Sequence, residues 1–344
     1  MRILIGYRYG VVGGVCTQLF NRMKHVAGLD GVDVTFFFVR DYGAQAMLAP
    51  YGRVVVGDPE AMKSLLQRER FDVVDIIDTP ELLDVALAVD PSRVVVEAHT
   101  TYEVALEYLR DCAARRFIVP SQYSRRLLVE DFGVSESNVE VVSNCIDASL
   151  FAVDAAAPLD RKIVSWVGKL DEHKNWPAFV ELAGLVAAGE RDVEFWMIGG
   201  EGSSELAKAA LLEMVSGYGL DGRLRWFSHL DYAAMPRLHA AVGASGGVNV
   251  VTSRDESFGM SVAEALLAGC PVVAPRVGAL PELWDGPALR FNEANDQAAA
   301  GRSIRRALRD GGTARRALLD ARSTLAARWA PSLAGDAWIA ALRT

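Results

Sequence analysis

The chain has 344 residues, 51% of them hydrophobic and 23% charged, a composition that fits about two globular domains with large cores. Its 36 basic and 44 acidic side chains leave a net charge of −8, which argues against nucleic acid as the main partner. Four scattered cysteines without metal-ligand spacing, and no apolar run approaching membrane-spanning length, point to a reduced, cytoplasmic chain.

The first half alternates strands and helices. Residues 2–6 read as a strand, 7–14 as a glycine-containing loop and 15–27 as a helix, the opening of a Rossmann-like unit. The dinucleotide Gly-x-Gly-x-x-Gly spacing is absent, since the glycines stand at 6, 10, 13 and 14, and this weakens a dehydrogenase reading. By themselves Gly13 and Gly14 need mean no more than turn geometry. Further strands are expected over 34–39, 53–56, 71–77, 93–97, 117–119 and 139–142, many of them continuous Val, Ile and Phe runs that suit burial on both faces. Helical patterns near 60–69, 80–88, 102–114 and 121–131 separate them, giving a doubly wound α/β domain.

His99 follows the run Val94–Glu97 and so stands at the C-terminal end of a strand, where it can touch a ligand or serve as a satisfied structural histidine. Thr100-Thr101-Tyr102-Glu103 after it has the form of a capping box. Arg110, Arg115, Arg116, Arg125 and Arg126 form a local basic cluster, readable as a solvated face or as a contact for an acceptor or membrane surface. Residues 154–161 read as an interdomain linker.

The second half restarts the pattern with a strand over 162–167, the loop 168–175 and a helix over 176–188. Lys169 and Lys174, five apart on a strand-to-helix loop, suit a pyrophosphate as paired point charges, though scattered surface lysines are the plainer reading. Strands over 193–198, 223–227 and 246–251 follow, the first ending in Gly199-Gly200. Helices are expected over 296–309, 313–328 and 330–342.

The stretch Glu256-Ser257-Phe258-Gly259-Met260-Ser261-Val262-Ala263-Glu264 organises this half. Residues 260–268 read as a helix, with Gly269 free to turn left-handed at its end and Pro271 preventing continuation. The helix start lies after a strand, so its first amides suit a phosphate or sugar oxygen, and Gly259 permits close approach. Glu256 and Glu264, eight apart, could share a face and accept hydrogen bonds from a vicinal diol. The plainer alternative makes Glu256 a loop residue and Glu264 an exposed helix residue.

This Glu-x7-Glu stretch with internal Phe-Gly, followed by Glu-Ala-Leu-Leu-Ala-Gly-Cys-Pro-Val-Val-Ala, resembles the donor-site signature of retaining glycosyltransferases of family 4. Gly13-Gly14-Val15, Val119-Pro120-Ser121, Asn144-Cys145-Ile146-Asp147 and Pro281-Glu282 are similar to further landmarks of that family. The resemblance implies the GT-B fold: two Rossmann-like doubly wound domains facing a central cleft, with a C-terminal helix returning to the first domain. It implies an acceptor-side domain over 1–152, a donor-side domain over 160–327 and the returning helix over 328–344. It further implies roles for single residues. Lys174 and Lys169 would hold the diphosphate, and Glu256 and His99 would contact the donor sugar. Glu264 would hold the ribose, and Gly13 and Gly14 would lie beside the diphosphate. Gly199 and Gly200 would approach the nucleobase, and Phe258, Gly259, Met260 and Ser261 would present helix amides. Lys169 stands where the family has arginine, and Cys145 where it has glycine, a change that suggests a differently shaped loop.

The expected activity is transfer of a sugar from a nucleotide-diphosphate donor to an acceptor hydroxyl, with retention. UDP-sugars are the first expectation, on family frequency. The chain has no Asp-x-Asp pair, so no metal or other cofactor is expected. The acceptor is undefined, and membrane-surface contact is not favoured. A nucleotide-sugar epimerase, a phosphorylase and a non-catalytic nucleotide-sugar-binding subunit remain alternatives, because fold alone does not decide among them.

Overall fold

The computed structural model describes residues 1–153 and 159–343. The chain divides into two compact units, Met1–Asp147 with Arg328–Thr344, and Ala148–Ala327. The linker expected over 154–161 falls largely on residues 154–158, outside the described residues.

The first unit is built on seven parallel strands: β1 Arg2–Val11, β2 Asp33–Tyr42, β3 Arg53–Val56, β4 Val73–Ile77, β5 Val94–Glu97, β6 Arg116–Val119 and β7 Val139–Val141. Their order is β3-β2-β1-β4-β5-β6-β7, which places a topological switch point between β1 and β4. Side chains alternate between the two faces as strand geometry requires. Leu4, Phe37, Val74, Ile76, Val94 and Val96 pack on one face with Met62, Leu82 and Leu128. Ile3, Ile5, Phe36, Phe38 and Val95 pack on the other with Leu19, Met23, Trp338 and Leu342. The helix Pro331–Arg343 thus completes the core of this unit, against the helix Gly14–Val26.

The first strand is longer than the sequence suggests. Residues 7–11, read as loop, continue β1 because β2 pairs with them out to Val11↔Tyr42, past the last rung that β1 makes with β4. The helix expected over 102–114 is reduced to Glu103–Leu106 and a 3-10 turn over Glu107–Leu109. Its capping box does not form: Thr100 Oγ1 instead accepts from the Tyr102 amide at 3.2 Å, a local bond that competes with helix initiation. Cys145 does not reshape its loop through a left-handed backbone. It is buried, absent from the positive-φ residues among those described, and its Sγ lies 3.9 Å from the Gln18 carbonyl oxygen.

The second unit holds six parallel strands: β8 Lys162–Val167, β9 Val193–Ile198, β10 Leu224–Phe227, β11 Val248–Val250, β12 Val272–Pro275 and β13 Leu289–Asn292. The order β10-β9-β8-β11-β12-β13 puts its switch point between β8 and β11. Val164, Trp166, Phe195, Met197, Val248, Val250 and Val273 form its core with Phe179, Val180 and Ile304. The two helices expected over 296–309 and 313–328 are one, Gln297–Arg328. Gly311 does not end it, because the helix crosses Gly246 there: a Cβ on Gly311 would lie 2.6 Å from the Gly246 carbonyl oxygen. The glycine permits that approach, at a helix-propensity cost of about 1 kcal/mol. No helix among the described residues is long and apolar enough to cross a membrane.

Candidate active site

The loops after β8 and β11 flank the switch point of the second sheet, and the structure ties them together. The Arg254 amide donates to the His173 carbonyl at 2.8 Å. The Trp166 indole donates to Thr252 Oγ1 at 2.9 Å, and that hydroxyl donates to the Lys174 carbonyl at 2.8 Å. Asp171 Oδ1 accepts from the Lys174 amide at 2.8 Å, and Asn175, left-handed at φ 49°, turns the chain into the helix Trp176–Ala187. The third loop, after β12, joins through the Ala279 amide, which donates to the Glu256 carbonyl at 2.8 Å.

Within this frame Lys174 Nζ lies 2.6 Å from Glu256 Oε1. Ser253 Oγ donates to the same oxygen at 2.7 Å. Burial pushes the Glu256 carboxyl up, but Lys174, helped by Ser253 and His173, holds the group below its usual range. Next to them His173 is held low by burial, with Glu256 opposing. Lys169, on the same loop, is exposed and joins no ion pair among the described residues.

Gly259 is left-handed, at φ 100°, and precedes the helix Met260–Leu267. A Cβ there would come within 2.5 Å of Leu280, so the protein's own packing already demands glycine. The first intrahelical bonds run from the Val262 and Ala263 amides to the Gly259 carbonyl, which leaves the Met260 and Ser261 amides ahead of them at the helix N-terminus. Phe258 is buried beside this start. The helix ends as its sequence suggests. Gly269 is left-handed, and the Cys270 and Gly269 amides return to the Ala265 and Leu266 carbonyls at 2.8 and 3.0 Å.

The two glutamates are both buried, at 8% and 5% exposure, which removes the reading of Glu264 as an exposed helix residue. They do not share a helical face, however. Helical register begins only at Met260, and Glu256 and Glu264 have separate partners. Glu264 is hydrogen-bonded to Tyr232, whose ring meets Phe151 edge-on at 6.5 Å between centroids. Burial pushes the Glu264 carboxyl up to about 8 against that hydrogen bond. Gly199 and Gly200, after β9, abut Gly168 and Leu170 and so lie beside the loop that carries Lys174.

The first unit has its own cluster at the C-terminal edge of its sheet. His99 Nε2 lies 2.7 Å from Glu97 Oε2, and the ring is 6% exposed. The His99 amide donates to both Asp78 carboxylate oxygens, at 3.0 and 3.2 Å. Asp78 is itself left-handed at φ 42°, a strained conformation for a residue with a Cβ, and it sits at the end of β4 on the switch point. Burial pushes its carboxyl up to about 6, with His99 opposing. Gly13 has an extended backbone and Gly14 no positive φ. Among the described residues a Cβ on Gly13 would meet only the Val11 carbonyl, at 4.0 Å, and one on Gly14 nothing within 4 Å. Turn geometry therefore does not explain either glycine.

The basic cluster of the first unit is not a single patch of free charge. Arg110, Arg116 and Arg125 pair with Glu107, Glu140 and Glu136, and Arg115 reaches the Leu342 carbonyl. No sequence signal pointed to Ser253, Tyr232, Asp78 and Glu97, which bond Glu256, Glu264 and His99. None lies in a recognisable motif, and Glu97 was legible only as the end of a valine run. Among the described residues no group of three or more His, Cys, Asp or Glu side chains could hold a metal ion.

Two Rossmann-like α/β units, each with polar groups gathered at its switch point, define a nucleotide-binding class of protein. Residues 161–310 match the family model described as glycosyl transferases group 1, and residues 12–150 match that of glycosyltransferase family 4. The chain belongs to the group 1 glycosyltransferases. D-inositol 3-phosphate glycosyltransferase from Mycobacterium bovis is 31% identical over 180 residues, which is 49% of this chain and 35% of that protein. The chain thus spans about a third of the length of that relative. Anabaena HepE, solved with UDP and glucose, superposes with a TM-score of 0.85 at 17% identity, covering 100% of this chain and 99% of the other. A glycosyltransferase from Rickettsia africae superposes at 0.79 with 14% identity, covering 99% and 97%.

Proposed function

We propose that the chain transfers a sugar from a UDP-sugar to an acceptor hydroxyl, with retention at the anomeric carbon and without a metal ion. The observation that carries this reading is the pairing of Lys174 with Glu256 at the switch point, beside the N-terminus of the helix Met260–Leu267. Departure of a diphosphate builds negative charge on phosphate oxygens, and a fixed ammonium with helix amides opposes that charge. Lys174 supplies the first and Met260 and Ser261 the second. Glu256, held ionised, is placed to accept hydrogen bonds from sugar hydroxyls, and Glu264 from the ribose. Lys169 is exposed, and serves the diphosphate less than Lys174 does. Support for a uridine nucleotide comes from HepE, whose structures were solved with UDP and with UDP-glucose.

Gly13 and Gly14 extend the reading to the first unit. The fold does not require them, so close approach of a ligand to their backbone accounts for both. His99 contributes a ring at the same sheet edge, toward the donor sugar.

The test has three parts. UDP at 100 times its dissociation constant should stabilise the protein by about 2.7 kcal/mol. A panel of UDP-sugars with candidate polyol and glycan acceptors should yield UDP only when an acceptor is present, with the product anomer matching the donor by NMR. EDTA should leave that turnover intact. Absence of both UDP stabilisation and sugar transfer would overturn the reading, and loss of turnover in EDTA restored by Mg²⁺ would overturn its metal-free part.

A further inference from the structure

A cluster of buried charge in the first unit has no part in the chemistry above. Arg22, Asp75, Glu97 and Trp338 are all without exposure. Arg22, on the helix Gly14–Val26, makes two bonds to Glu97, at 2.6 and 3.1 Å. Its guanidinium also donates to Gln18 Oε1 at 2.7 Å and lies over the Trp338 ring at 5.0 Å. The Trp338 indole donates to Asp75 Oδ2 at 3.3 Å. Asp75 is hydrogen-bonded to Glu97, and burial beside that carboxylate raises it well above the usual range. Among the described residues Asp75 Oδ1 has no hydrogen-bond partner within normal geometry.

Buried ion pairs seldom stabilise a fold more than apolar residues of the same volume would. This one leads instead to a ring. Glu97 Oε2 lies 2.7 Å from His99 Nε2, while Asp78 holds the His99 amide from the other side. We propose that Glu97, kept charged and oriented by Arg22, is a positioning residue that fixes His99 as the Nε2–H tautomer and sets the direction of its ring. The inference rests on the reading of His99 as a contact for the donor sugar. An anionic acceptor with both oxygens engaged selects an N–H donor at Nε2, and the other nitrogen of a neutral ring can then only accept. Trp338 closes the cluster, so the helix Pro331–Arg343 supports the histidine through Arg22 and Asp75.

The test is a long-range ¹H–¹⁵N spectrum of histidine-labelled protein without ligand, with His99→Gln to assign the signal. The Nε2–H pattern is expected. The variant Arg22→Met/Glu97→Gln removes both charges together, so no orphan charge is left in the core. It should lose the fixed tautomer and lower kcat by up to about 100-fold, the effect of a misplaced group, while UDP binds with unchanged Kd. A structural role alone would weaken UDP binding and turnover together. An Nδ1–H pattern in the wild type, or a double variant that keeps wild-type kcat, overturns the proposal. Should that variant fail to fold, the wild-type spectrum alone decides. If the wild type turns over no donor, the transfer reading fails, while the spectrum still judges the clamp.

Discussion

Lys174 Nζ and Glu256 Oε1 stand 2.6 Å apart although 82 positions separate them in the chain. The carboxylate pairs with the ammonium, and a diphosphate would compete for it. Lys174→Ala should lower kcat by on the order of 10²–10³, as removal of a group that opposes developing charge does. Wild-type turnover of that variant at saturating donor would show that the loop 168–175 does not hold the diphosphate.

The same substitution should change the pH dependence of stability. Lys174 depresses the Glu256 carboxyl below its usual range, so the pair's contribution is present above the ordinary carboxylate range and is lost as pH falls through the folded value. Lys174 is partly exposed, and solvent screens the interaction. Without Lys174, burial would raise Glu256 instead, and stability should fall as pH rises from 4 to 7. Melting curves across that range would check the reversal of sign.

Glu264 predicts a pH dependence of nucleotide binding. Its carboxyl is pushed up to about 8 by burial, so at neutral pH the ligand-free site holds it protonated. A ribose diol donates to a carboxylate, and binding should expel that proton. UDP affinity should therefore rise with pH up to about 8 and then level off, with proton release seen by calorimetry in buffers of different ionisation enthalpy. Glu264→Gln should flatten this slope and raise the donor KM more than it lowers kcat, because the ribose does not change charge during transfer. A slope that survives in Glu264→Gln would assign the proton to another group.

Gly14→Ala separates folding from function. The residue begins a helix and its Cβ would meet nothing within 4 Å, so alanine should raise stability by about 0.5–1 kcal/mol. If a ligand approaches the Gly14 backbone, turnover should nonetheless fall. A variant that melts higher and works normally would remove this loop from the site.

His239 predicts acid lability. It is fully buried on the helix Met235–Ala244, neither ring nitrogen has a partner among the described residues, and burial lowers its pKa to about 4. Between about 4 and 6.5 the unfolded chain binds the proton and the folded chain does not, so stability falls as pH drops through that window. The loss should approach on the order of 3 kcal/mol near pH 4. His239→Leu should remove this part of the slope, as chemical denaturation at pH 4.5 and 7 would show.

Local signals made much of the fold legible. The Val, Ile and Phe runs located β8 and β9 to the residue because continuous apolar strands need burial on both faces, and β3 was located as well although it is a partly exposed edge strand. Gly269 and Pro271 placed the end of the helix Met260–Leu267, because a left-handed cap and a missing amide are properties of single residues. The Glu-x7-Glu stretch and the loop 168–175 were legible as candidates, and the structure brings Glu256 and Lys174 of them together. Partners far apart in sequence decided the rest. Periodicity could not show that β2 would carry β1 on to Val11, nor that Gly311 would meet Gly246 and let one helix run through. Nor could it show that Lys174, not Lys169, would find a carboxylate, or that Glu97 would face Arg22 from 75 positions away. Those pairings arise only when packing brings distant charges together, and for Arg22 and Glu97, which lie in a core from which water is excluded, each buried charge must have a partner.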